Sequence, residues 1–216
     1  MNMTPTAQSA YCRDLAALAP VIPILVIDDA AKAIPLARAL VSGGLSVLEV
    51  TLRTPAALEA IRAMRTVPGA RVGAGTVLSR DDAARAREAG ADFAVSPGLT
   101  EALAEACTDL ALPLLPGAVT ASEVMRAAEM GYDMLKFFPA AASGGPDALS
   151  ALAGPLPRAG FCPTGGITAE TAHAYLRLPN VVCVGGSWIA RASDLAAGDW
   201  SGIEARARTA AGLRIA

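Results

Sequence analysis

Val47-Leu48-Glu49-Val50-Thr51-Leu52-Arg53 alternates strictly between two kinds of side chain. Successive residues of a strand point to opposite faces, so Leu48, Val50 and Leu52 form one apolar face while Val47, Glu49, Thr51 and Arg53 share the other. The apolar face calls for an apolar cover. The second face carries a carboxylate and a guanidinium about 13 Å apart at strand rise, and two such groups do not both pack in a dry core. The segment therefore reads as a strand with helices on its outside and a polar interior on its inside, as in a parallel barrel.

Outward from this strand, short apolar runs recur along the whole chain. Strands are expected near residues 21-27, 46-52, 71-75, 92-96, 113-116, 133-138, 159-163 and 181-185. Alanine-rich segments of helical period lie between them. Their starts are marked by Thr54-Pro55, by the capping box Thr120 to Glu123, and by Ser79 and Thr168 as candidate caps. Strict strand-helix alternation implies a parallel sheet with helical crossovers, either open and doubly wound or closed. Eight strands within about 165 residues favour closure into a (β/α)8 TIM barrel. No linker, low-complexity tract or second domain interrupts the pattern. Residues 1-216 are expected to form a single (β/α)8 barrel domain, with 1-20 a short helical segment beneath it and 200-213 a terminal helix outside it.

Composition narrows the function. Of 216 residues 53% are apolar, 18% charged and only 4% aromatic, so the core is aliphatic and alanine-rich. A net charge of -2 argues against nucleic acid or an anionic membrane as partner. No apolar run reaches the ~18 uncharged residues of a bilayer span, and the N-terminus does not read as a signal peptide. Cys12, Cys107, Cys162 and Cys183 are widely spaced with no CxxC pair, which reads as buried free thiols in a reducing cytoplasm. The one histidine, His173, lies in a helical stretch, so no histidine-built metal site is expected.

Arginine occurs sixteen times but lysine only twice. Lys32 opens the first helix after a strand, where an ammonium is solvated. Lys136 sits inside Met134-Leu135-Lys136-Phe137-Phe138, a strand whose outer face helices should cover. An unpaired ammonium buried there costs several kcal/mol, and a sheltered amine sheds its proton more readily. A neutral amine can attack a ketone, and the iminium so formed is an electron sink for C–C cleavage. The inward Glu49 is the best candidate for moving protons beside it. Arg53, at the carboxyl end of its strand, is placed to hold a carboxylate. A structural ion pair among Glu49, Arg53 and Lys136 is the alternative reading, and a lysine whose stem is buried while its head reaches water is the alternative for Lys136 alone.

The last two strands end in Cys162-Pro163-Thr164-Gly165-Gly166-Ile167-Thr168 and Val184-Gly185-Gly186-Ser187-Trp188. Paired glycines let backbone N–H groups approach an anion, and barrels often bind phosphate there, although a Gly-Gly pair alone reads first as a tight turn.

Together VLEVTLRT (Val47 to Thr54), GAGTVL (Gly73 to Leu78), SPGLTE (Ser96 to Glu101), KFFPA (Lys136 to Ala140), CPTGGI (Cys162 to Ile167) and GGSW (Gly185 to Trp188) resemble the 2-keto-3-deoxy-6-phosphogluconate (KDPG) and 4-hydroxy-2-oxoglutarate aldolase family over residues 20-205. The resemblance implies a class I aldolase that reversibly cleaves the phosphorylated 2-keto acid to pyruvate and glyceraldehyde 3-phosphate, without metal or cofactor. Some relatives also split 4-hydroxy-2-oxoglutarate. It implies that Lys136 forms the imine and Glu49 is the acid-base group, and that Arg53 and Thr76 grip the pyruvate carboxylate. Thr164 would touch a substrate hydroxyl, Gly165, Gly166, Gly186 and Ser187 would hold the phosphate, and Pro97 and Phe138 would shape the pocket. It further implies a homotrimer. Where some relatives place a basic residue after the first strand, this chain has Asp28-Asp29. A galactonate-derived substrate, a non-aldolase sugar-phosphate barrel enzyme such as an epimerase, and a catalytically silent phosphate-binding protein are the competing readings.

Overall fold

All eight expected strands form in the computed structural model, which describes residues 2–213; Met1 and residues 214–216, the ends of the expected 1-216 domain, lie outside the described residues. The strands are β1 (Val21–Leu25), β2 (Val47–Thr51), β3 (Arg71–Gly75), β4 (Phe93–Val95), β5 (Leu114–Leu115), β6 (Met134–Phe137), β7 (Gly160–Pro163) and β8 (Val184–Gly186). Helices α1 (Pro5–Ala17), α2 (Ala33–Ser42), α3 (Ala57–Met64), α4 (Arg80–Glu88), α5 (Glu101–Asp109), α6 (Ala121–Glu129), α7 (Gly145–Ala153), α8 (Ala172–Leu176), α9 (Ala192–Ala197) and α10 (Trp200–Ala211) complete the described chain. Six strands form one parallel sheet in the order β5-β4-β3-β2-β1-β8, and β6-β7 form a second. Single parallel bridges, Gly117 to Lys136, Phe161 to Val181 and Thr164 to Gly185, join the two. The result is an α/β fold on a curled parallel sheet.

The two-residue period sorts the core into two clusters. Leu48, Val50, Val72, Ala74, Ala94, Leu114, Leu135 and Phe161 pack outward against helical residues such as Leu36, Leu40, Ile61 and Met64. Ile22, Val47, Phe93, Val95, Leu115, Met134, Cys162 and Cys183 pack inward, and Cys12, Leu15 and Ala16 of α1 join them. The alanines that make the composition unusual let the helices approach the sheet closely.

Helix starts were legible where the side chain has no other partner. Thr120 and Glu123 form the expected capping box at α6, a device that stabilises by about 1 kcal/mol, and its backbone N–H bonds hold the Glu123 carboxyl below its usual range. Ser79 caps α4 by accepting from Asp82 N at 3.1 Å. Thr54 does not cap: its hydroxyl donates to Ile27 O across β1 and β2, and α3 begins only at Ala57 with no side-chain cap. Thr168 accepts from Thr171 N in a turn that precedes α8 rather than capping the helix itself. The last strand is shifted, because Val181 makes only an isolated bridge and regular pairing starts at Val184.

All four cysteines are buried, and none forms a disulfide. Burial pushes the Cys107 thiol up to about 12 and raises Cys12 as well, so both behave as small apolar groups. Among the described residues no helix is long and apolar enough to cross a membrane.

Candidate active site

Alternation in β6 turns Leu135 and Phe137 to the helices and Met134 and Lys136 to the inside. The same alternation in β2 turns Glu49 inward between the outward Leu48 and Val50. The two meet: Lys136 Nζ donates to Glu49 Oε1 at 3.2 Å, with 7% and 4% of their side chains exposed. Lys136 Nζ also lies 5.4 Å from the centre of the Phe138 ring, within cation–π range. The buried ammonium is therefore paired, not isolated. A buried pair contributes little net stability once both ions are desolvated, so its presence asks for a chemical reason.

Arg53 does not join the pair. Its Nε donates to Thr76 Oγ1 at 3.3 Å, at the exposed carboxyl ends of β2 and β3. Thr76 has φ 61, a left-handed conformation that costs a β-branched residue roughly 1–3 kcal/mol. That strain sits where Thr76 receives the Arg53 hydrogen bond.

The remaining candidates lie at the same end of the parallel strands. Pro97 follows β4, Phe138 follows β6, Thr164 to Gly166 follow β7, and Gly186 and Ser187 close β8. Thr164 is buried and bridges to Gly185, where any Cβ would run into the Thr164 hydroxyl. Gly165 at φ 101 and Gly166 at φ 73 occupy backbone that other residues enter only with strain. Ser187 is exposed beside them. His173 is exposed on α8, and Lys32 is half-buried as the N-cap residue of α2 with no side-chain cap bond.

A further glycine bears on the Lys136–Glu49 pair itself. A Cβ on Gly75 of β3 would lie 2.7 Å from Glu49 Cγ and 2.8 Å from its Cδ, and closer still to Oε1. Gly75 is thus the space in which the Glu49 carboxylate lies. The sequence offered a signal in the GAG run of β3 beside β2, but a glycine in a strand reads first as a weak point or bulge. A separate cavity of about 460 Å³, lined by Thr6, Tyr132, Asp133, Leu156 and Arg158, opens at the opposite, amino end of the strands. In open and closed parallel α/β sheets alike the chemistry belongs at the carboxyl end, where the Lys136–Glu49 pair and its neighbours are.

A family model described as KDPG and KHG aldolase matches residues 13–206. The KHG/KDPG aldolase of Escherichia coli (strain K12) is 52% identical over 192 residues, 88% of this chain and 90% of that protein. The crystal structure of 2-keto-3-deoxy-6-phosphogluconate aldolase from Zymomonas mobilis ATCC 29191 superposes with a TM-score of 0.90 at 50% identity, covering 94% of this chain and 97% of that one. KDPG aldolase from Legionella pneumophila, with pyruvate captured at low pH as a covalent carbinolamine intermediate, superposes with a TM-score of 0.90 at 45% identity, covering 93% and 98%. Fold, buried amine and these likenesses define an enzyme of the aldolase class, a carbon–carbon lyase. The chain belongs to the KDPG and KHG aldolase family.

Proposed function

We propose that the protein is a class I aldolase that cleaves 2-keto-3-deoxy-6-phosphogluconate to pyruvate and glyceraldehyde 3-phosphate, and also accepts 4-hydroxy-2-oxoglutarate, giving pyruvate and glyoxylate. The observation that carries this is the buried contact between Lys136 Nζ and Glu49 Oε1 at 3.2 Å. Glu49 takes a proton from Lys136, and the freed amine attacks the C2 ketone to give a carbinolamine. Glu49 returns the proton to the departing hydroxyl, and water leaves. The protonated imine draws the electrons of the C3–C4 bond as the C4 hydroxyl gives up its proton to the Glu49 carboxylate, so glyceraldehyde 3-phosphate departs and an enamine remains. Protonation at C3 and addition of water release pyruvate and restore the amine. The iminium supplies the electron sink, so the scheme needs neither metal nor cofactor.

Around this pair, Arg53 and Thr76 hold the pyruvate carboxylate; the 3.3 Å Nε–Oγ1 contact supports this by fixing two donors at one edge of the site. Thr164 touches a substrate hydroxyl, Gly165, Gly166, Gly186 and Ser187 hold the phosphate through backbone N–H groups, and Pro97 and Phe138 wall the pocket. The positive φ of Gly165 and Gly166 supports a backbone turned toward an anion. The bridges on both sides of β6-β7 support a closed (β/α)8 barrel spanning the chain as one domain. Family resemblance extends the proposal to a cytoplasmic homotrimer.

Borohydride added with pyruvate is expected to fix one pyruvate on the peptide containing Lys136, read as a mass increase of that peptide. No label defeats the imine mechanism and returns the site to a non-aldolase sugar-phosphate enzyme or a binding protein, and label on another peptide takes the imine away from Lys136. Among substrates, kcat/KM, which reads transition-state discrimination, is expected to be higher for the gluconate-derived phosphorylated keto acid than for its galactonate-derived epimer or 4-hydroxy-2-oxoglutarate, since relatives at about 50% identity are named for the first. A reversed order would reassign the substrate and leave the imine untouched.

A further inference from the structure

Glu49 belongs to the six-stranded sheet and Lys136 to the two-stranded one, so the distance between them depends on how the two sheets are tied together. One junction is the seam between β5 and β6. At its carboxyl end the strands are bonded directly, Lys136 N donating to Pro116 O at 2.8 Å and Ala118 N to Lys136 O at 2.9 Å. Amides two residues apart on a strand face the same neighbour, so Met134 N also faces β5. It finds no strand partner there: it donates to Ser9 Oγ of α1 at 2.8 Å. Asp133 N donates to the same oxygen at 2.9 Å, and Ser9 Oγ donates to Asp133 Oδ1 at 2.9 Å.

On the β5 side, Leu115 and Pro113 serve β4, which leaves Leu114 N facing β6, and it donates to Gln8 Oε1 at 3.1 Å. The Tyr132 hydroxyl, from the residue just before Asp133, donates to the same Gln8 oxygen at 3.1 Å. Gln8 Nε2 is held in turn by Met3 O at 2.7 Å and Thr108 Oγ1 at 3.2 Å. Gln8 and Ser9 are 0% and 1% exposed. Two adjacent side chains of α1 therefore occupy the amino end of the seam, one bonded to each strand, where the ladder would otherwise close.

From this we infer that Gln8 and Ser9 are positioning residues for the reaction: by spacing β6 from β5 at the amino end, they set the angle at which β6 carries Lys136 toward Glu49. Neither touches substrate, and both act from the end of the sheet opposite the chemistry. The inference rests on Lys136 being the imine-forming amine. Misplacement of a reacting group by about 1 Å, caused from a distance, costs on the order of 100-fold.

The test compares full-length wild type with Ser9→Ala, Gln8→Met and Ser9→Thr, and with Ile203→Val as a control that loosens the buried face of α10 without touching the seam. One aliquot of each protein is labelled to completion with pyruvate and borohydride to count folded sites. The trapping rate, kcat and KM are measured on unlabelled aliquots, well below each Tm, and expressed per countable site. The expected result is a loss of about 10- to 100-fold in trapping rate and kcat for Ser9→Ala and Gln8→Met. KM should stay nearly unchanged, Ser9→Thr should recover most of the loss by restoring the hydroxyl, and Ile203→Val should match wild type. Wild-type kcat per labelled site in both Ser9→Ala and Gln8→Met, with only a lower Tm, overturns the inference and leaves α1 a structural plug. If wild type takes no label at Lys136, the imine reading fails first and the positioning role falls with it.

Discussion

Lys136→Ala is expected to lower kcat/KM for the phosphorylated keto acid by roughly 10⁴- to 10⁶-fold, the scale on which removal of a covalent nucleophile is felt. At 1.36 kcal/mol per tenfold this is about 5 to 8 kcal/mol of transition-state stabilisation. Alanine alone is an ambiguous test, because it leaves Glu49 buried without its partner, and breaking a buried pair that way costs about 3–5 kcal/mol of stability. Lys136→Arg separates the two effects. A guanidinium can still pair with Glu49, but it does not deprotonate in a protein and cannot form an imine. Lys136→Arg is therefore expected to recover part of the stability lost by Lys136→Ala and none of the activity. Retro-aldol rates beside thermal unfolding of both variants check this. Residual cleavage in Lys136→Arg above about a hundredth of wild type would mean that the amine is not the nucleophile.

The same pair shows how far the sequence could be read. Lys136 and Glu49 stood out because each breaks a pattern: an ammonium in an apolar strand of a chain that otherwise uses arginine, and a carboxylate on a face that alternates with aliphatic residues. The two-residue period carried both to the inner face, and they meet at 3.2 Å. The eight strands were legible as short apolar runs separated by alanine-rich helical segments.

Other features depended on partners that local pattern does not reveal. Thr54 looks like a cap until Ile27, on a neighbouring strand, claims its hydroxyl. Gln8 and Ser9 look like ordinary polar residues of a terminal helix, since their partners Leu114 and Asp133 lie more than a hundred residues away. Of the proposed site residues, Arg53 and Thr76 are joined by a hydrogen bond, whereas the proposed phosphate grip is supported only by backbone shape and family likeness.

Gly75 was illegible for a deeper reason, since what it contributes is an absence. Gly75→Ala is expected to lower kcat by about 10²- to 10⁴-fold, the range expected for losing a general acid-base group. The added methyl would overlap the Cγ, Cδ and Oε1 of Glu49, so the whole carboxylate must move, not only its tip. Glu49 is enclosed, and moving it opens the 3.2 Å contact with Lys136. Stability should change far less. Overpacking costs about 1–3 kcal/mol, and loss of glycine's freedom in the unfolded chain returns roughly 0.4–1 kcal/mol of that. A double-mutant cycle identifies the route. If Gly75 acts through Glu49, then Gly75→Ala added to Glu49→Gln should cost little further activity, because the group it displaces no longer transfers protons. Independent, multiplying losses would show that Gly75 serves the site by some route other than making room for the carboxylate.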